Sequence, residues 1–284
     1  MRWMGRRQSG NVEDRRRFSG TVAGGGIVGL ITIVIALFLG VDPSALLTGS
    51  LDPGSASGIP RETAAVQDQQ EQFTAVVLAD TEDVWNRLFQ QQFGKDYAEP
   101  TLVLFSQATQ SGCGFASAAS GPFYCPPDEK VYIDLQFFQE LQTNFHAAGD
   151  FAAAYVIAHE VGHHVQNQLG ILANVHSRRA QANENESNEI SVRAELQADF
   201  LAGVWAHHAQ KAKNILEPGD LEEALSAASA VGDDRLQRRS QGYVVPDSFT
   251  HGTSEQRARW FRLGFDTGDL SRTMDPFKLD YEQL

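Results

Sequence analysis

Residues 156–166 read VIAHEVGHHVQ, with three histidines and a glutamate in an otherwise apolar run. His159 and His163 are four residues apart, so a helix places both imidazoles on one face, one turn apart. Two such donors can hold one divalent ion, and Glu160 beside them can take a proton from water at that ion. This is the HExxH arrangement of zinc hydrolases. His164 turns about 140° away from His159 and is not expected to be a ligand. Polar groups in an apolar helix need compensation if buried, which favours a site over an accident of sequence.

A catalytic zinc takes three protein ligands and keeps one position open. Glu195, in AELQADFLAG, is the candidate third ligand. Asp199 follows one helical turn later and is suited to fix the tautomer of His159 through its other ring nitrogen. The apolar neighbours of this pair argue against two solvated acids. His251, in FTHGTSEQR, could stabilise an oxyanion, and Arg257 could orient it or hold a carboxylate. For these two, a loop histidine and a structural arginine are equally open readings. His207 and His208 near a helix C-terminus offset its dipole. His146 and His176 read as surface residues.

The elements that must position these groups follow from periodicity. Apolar spacing of three and four predicts helices over 72–93, 150–168, 188–212, 220–239 and 254–265. Asp80 or Thr81 would cap the second half of the first, Asp150 would cap the second, and Thr253 or Ser254 the last. TLVLFSQA (101–108) and the run around KVYIDLQFF read as strands, with Val131, Ile133 and Leu135 on one face. Residues 171–187 read as a loop. Cys113 and Cys125 bracket a Gly/Ser/Ala-rich loop and are disulfide candidates if the domain lies outside the cytosol. The expected fold is α+β, mainly helical with a small sheet, preceded by one transmembrane helix.

The 284 residues carry a formal net charge of −13, which argues against a nucleic-acid partner. Six arginines in residues 1–17 make that segment +4. Residues 18–41 contain no charged residue, enough to span a bilayer, and the basic flank predicts a cytoplasmic N-terminus. A cleaved signal is the competing reading, but the run is long and no Ala-x-Ala site follows directly. The expected organisation is a basic N-terminus (1–17), a transmembrane helix (18–41), a linker (42–71) and a metal-binding domain (72–284). That domain would be periplasmic or extracellular, anchored to the inner or cytoplasmic membrane.

RWMGRRQSGNVEDRR, GPFYCP, HEVGHHVQ, AELQADFLAGVW and THGTSEQR, in that order, resemble the neutral zinc metallopeptidase family of bacterial membrane proteins. The resemblance covers most of the chain except the linker. It implies a gluzincin-like domain with His159, His163 and Glu195 as ligands of one zinc, Glu160 as base, and a peptide or protein substrate. The Glu195–Asp199 spacing is similar to the ExxxD of gluzincins, whose aspartate supports a zinc histidine. THGTSEQR is similar to a His-Pro and later Arg in some membrane-associated zinc peptidases, with Gly252 in the proline's place. An extended substrate could add as a strand beside KVYIDLQF. Two other readings share these residues: a zinc hydrolase of a nonprotein amide or ester, and a non-enzymatic anchored scaffold holding structural zinc. An intact Glu160 weighs against the scaffold. Oligomeric state is not legible.

Overall fold

The computed structural model describes residues 1–16, 61–117, 120–145, 147–270 and 275–284. The expected membrane helix at 18–41 lies outside the described residues. Among those described, no helix is long and apolar enough to cross a membrane.

The sheet has four strands: β1 (Val12–Asp14), β2 (Thr101–Phe105), β5 (Phe123–Cys125) and β6 (Lys130–Asp134), in the order β1-β2-β6-β5. β1, β2 and β6 are parallel, and β5 returns antiparallel to β6. Leu102–Phe105 and Val131–Asp134 are all buried, as strands covered on both faces must be, which explains their near-continuous apolar character. The single strand expected at 101–108 instead ends at Phe105. A separate hairpin follows, β3 (Ala108–Ser111) with β4 (Gly114–Ser117). A disulfide joins Cys113 at its turn to Cys125 at the end of β5.

β1 was not expected. Its strand pairs Val12 with Leu102, and the arginines around it meet acids of the domain. Arg6 reaches Asp80 (2.7 Å), and Arg7 reaches Glu82 (3.0 Å) and Asp83 (2.7 Å). Met1–Arg15 and Gln67–Leu284 form one compact unit. Of the basic residues that suggested a separate cytoplasmic tail, Arg6, Arg7 and Arg15 are ion-pair partners within the fold.

Helix α1 (Arg61–Leu88) starts inside the expected linker and ends in a π turn at Phe89–Phe93. Asp80 and Thr81 cap nothing. They sit mid-helix, Asp80 paired with Arg6 and Lys213, and Thr81 donating to Leu78 O. A short α2 (Gln136–Thr143) follows β6. Next comes α3 (Asp150–Gln168), with the expected bounds but with Gly149, not Asp150, at its N-cap. The expected loop at 171–187 holds α4 (Ile171–Arg179) and the start of α5 (Glu184–Lys213), whose Asn183–Glu186 capping box supplies the start signal.

The helix expected over 220–239 is two helices, α6 (Asp220–Ala230) and α7 (Asp233–Gln241). Gly232 lies between them, where a Cβ would fall 2.3 Å from Ser254 N. The last helix, α8 (Ser254–Thr267), is capped by Thr253 with Gln256. α5 and α8 cross so closely that a Cβ on Gly203 would lie 2.1 Å from Phe261 O, and one on Gly264 2.0 Å from Phe200 O. That crossing brings Arg257 of α8 against Asp199 of α5.

Candidate metal centre and cleft

α3 is buried along nearly its whole length. His159 and His163 leave it on one side and meet Glu195 from α5. His159 Nε2 is 3.2 Å from Glu195 Oε2, and His163 Nε2 is 3.4 Å from Glu195 Oε1. One donor atom from each residue lies within 4.8 Å of the others.

The other ring nitrogens set the tautomers. Asp199 Oδ1 accepts from His159 Nδ1 (2.8 Å). Gln166 Oε1 accepts from His163 Nδ1 (2.8 Å), and Gln166 Nε2 donates to Ala194 O and Gln197 Oε1, which fixes the amide's orientation. With both Nδ1 atoms donating, both Nε2 atoms face Glu195, and once deprotonated each would offer its lone pair to an ion there. A tetrahedral ion with nitrogen and oxygen ligands at their usual bond lengths separates those ligands by roughly 3.3 Å. The observed spacings match, so the donor set could hold zinc.

Asp199 is fully buried and carries a dense network. It accepts from Tyr155 Oη (2.5 Å), from Arg257 Nε (2.8 Å) and Nη2 (3.0 Å), and from His159. Burial would raise its pKa, but the Arg257 and His159 charges hold it below the ordinary aspartate value. For metal-free His159, burial lowers the pKa and the Asp199 charge overrides it, for a net rise to about 10. Glu195 is held well below the usual carboxylate range. Burial opposes that, and His163 and His159 outweigh it.

Glu160 is buried and lines the same cleft as His159, His163 and Glu195. The cleft encloses about 1130 Å³. Its other borders are β5 with the residues leading into it (Ser120–Tyr124), α2, α4 and the 250–251 loop. His164 points away, as expected. It donates Nε2–H to Ala98 O (2.7 Å) and takes the Tyr124 hydroxyl at Nδ1 (3.0 Å). The third histidine of the opening motif thus ties α3 to the edge strand.

His251 also lines the cleft, half-exposed. Its partner is Asp233, not Arg257. Asp233 Oδ1 accepts from His251 Nδ1 (3.1 Å), while Oδ2 accepts the backbone N–H groups of Thr250, His251 and Gly252. The Asp233 hydrogen bond raises the His251 pKa, partly offset by burial. Gly252 has φ +89° and donates its N–H here. A proline could do neither, which accounts for glycine at this position. Arg257 holds Asp199 instead. Sequence reasoning missed Asp233, Tyr155 and Gln166. Tyr155 and Gln166 had signals: Tyr155 lies four residues before His159, and Gln166 three after His163. Asp233 had none. His207 and His208 bond Phe265 O and Gly268 O, in keeping with a structural role.

β6 is flanked by β2 and β5, and β5 takes the place beside Lys130–Tyr132 where a substrate strand would add to KVYIDLQF. The edge at the cleft is β5.

Two helices that turn two imidazoles and a carboxylate toward one point, beside a further glutamate in an open cleft, make a donor set of the catalytic zinc type. Residues 1–277 match the family described as "Putative neutral zinc metallopeptidase", and the chain belongs to that family. It is 51% identical to Uncharacterized protein YpfJ of Escherichia coli K12, over 95% of this chain and 96% of that one. It is 43% identical to Uncharacterized protein Rv2575 of Mycobacterium tuberculosis H37Rv, over 82% of each. No solved structure matches the chain.

Proposed function

We propose that this protein is a zinc-dependent peptidase with His159, His163 and Glu195 as ligands and Glu160 as general base. The observation that carries the reading is the convergence of the three donors, with both tautomers set, on the floor of a cleft that Glu160 shares. Bound there, zinc would supply Lewis acidity toward a carbonyl oxygen and toward water.

The chain's own residues do the rest. Among the described residues no hydrogen bond or ion pair holds the Glu160 carboxylate, so it can take a proton from the attacking water and pass it to the leaving amine. The His251 Nε2–H, present when the ring is protonated, can donate to the developing oxyanion. Asp233 holds that ring from the other side. Arg257 and Tyr155 fix Asp199, which fixes His159. An extended peptide can hydrogen-bond along the β5 edge, and the disulfide at Cys125 restrains that strand. The cleft volume exceeds the usual range for small-molecule pockets, which favours a peptide over a small amide or ester.

The test is cleavage of a quenched fluorescent peptide library by the zinc-loaded full chain and by Glu160→Gln. Cleavage by the wild type, and a loss of at least 100-fold in kcat with zinc retained in the variant, is expected. Equal cleavage by both would refute the role of Glu160.

A further inference from the structure

A second cavity of about 340 Å³ adjoins the cleft. Phe145 and Leu236 line both. The rest of its wall includes Arg235, Arg238 and Arg239 of α7, three cations at one spot in a chain of net charge −13.

The three are not alike. Arg239 is held: it donates to Asn144 O and lies over the Phe145 ring at 5.7 Å. Arg235 and Arg238 are exposed, and among the described residues neither has a carboxylate partner. The acids at the start of the same helix are engaged elsewhere, Asp233 by the 250–252 backbone and Asp234 by Ser254 N and Oγ. Arginines in a last helical turn are explained by the helix dipole, and that covers Arg238 and Arg239. It does not cover Arg235, which sits in the first turn of α7, where a cation is unfavourable. Positions 235, 238 and 239 share one helix face, and that face lines the cavity.

We propose that this cavity is a subsite of the cleft that accepts a carboxylate of the substrate, with Arg235 and Arg238 as its donors and Arg239 as a fixed wall. Two planar guanidinium groups suit a carboxylate. Phe145 and Leu236 give the rest of the side chain an apolar bed. The proposal rests on the peptidase reading and narrows it to peptides bearing an acidic side chain or a free C-terminus.

The test uses the full-length protein and matched peptides with Glu, Gln or Lys at each position, each with a free or an amidated C-terminus. Binding to Glu160→Gln is read by fluorescence anisotropy, and cleavage by the wild type is read as kcat/KM. At least a fivefold preference for Glu at one position assigns the side chain as the carboxylate; the same preference for the free end assigns the terminus. In Arg235→Glu/Arg238→Glu the preference should reverse toward Lys, and in Arg235→Lys/Arg238→Lys it should persist in weakened form. No preference in binding, or a preference untouched by charge reversal, overturns the subsite. Binding preference without any cleavage would instead count against the peptidase reading.

Discussion

The candidate centre depends on charges that cannot be separated cheaply. Asp199 and Arg257 are both buried and bonded to each other. Removing one leaves the other uncompensated, at about 3–5 kcal/mol. Arg257→Met should therefore lower the melting temperature by on the order of 10 °C, at roughly 2–4 °C per kcal/mol for a chain of this size, with calorimetry as the check. Asp199→Asn keeps the shape and loses the charge. Zinc affinity should fall about 10–100-fold, read by competition with a chelating dye, and Tyr155→Phe should fall in the same direction by less. His251 offers a pH test. Asp233 raises its pKa, so an activity that needs the protonated ring holds below that raised value and is lost as pH rises through it. Asp233→Asn removes the cause, and the alkaline limb of kcat/KM should move to lower pH. An unmoved limb would remove His251 from the chemistry. At this scale the sequence was most informative. That His159 and His163 share one helix face, and Glu195 and Asp199 another, was legible because helical spacing of four is a strong geometric constraint. Asp233 was not, since it reaches His251 across a break between helices that no local pattern marks.

At the scale of elements, the support behind the centre depends on the close contact of α5 and α8, which sets Arg257 against Asp199. Gly203 and Gly264 permit the contact, with backbone atoms where each Cβ would stand. Gly264→Ala should force the helices apart, cost about 1–3 kcal/mol by overpacking, and weaken zinc binding through the Asp199–Arg257 link. Thermal melts with and without added zinc would show both effects. The long apolar helices were read well from sequence, because burial of a helix dictates its period. The misreadings have physical causes too. Residues 171–179 and 184–187 form helix because capping and tertiary packing outweigh weak propensity. The 220–239 run breaks because Gly232 must lie against Ser254, a contact invisible to periodicity.

At the scale of the whole molecule, the N-terminal residues change the account most. Read alone, Arg2, Arg6 and Arg7 look like a topological signal. In the fold, Arg6 and Arg7 neutralise Asp80, Glu82 and Asp83, and β1 extends the sheet. A segment hydrogen-bonded to β2 cannot lie across a bilayer from it. In membrane vesicles holding the full chain, an impermeant maleimide should reach cysteines placed at Gln8 and Tyr243, both exposed, from the same side. Labelling of each from opposite sides would contradict this packing.

The most direct test of the central claim is the zinc content of the full-length protein by native mass spectrometry, beside His163→Ala and Glu195→Ala. The account predicts about one zinc per wild-type chain and a large loss in both folded variants. A folded wild type that stays free of metal after exposure to zinc, or variants that hold it equally well, would contradict it.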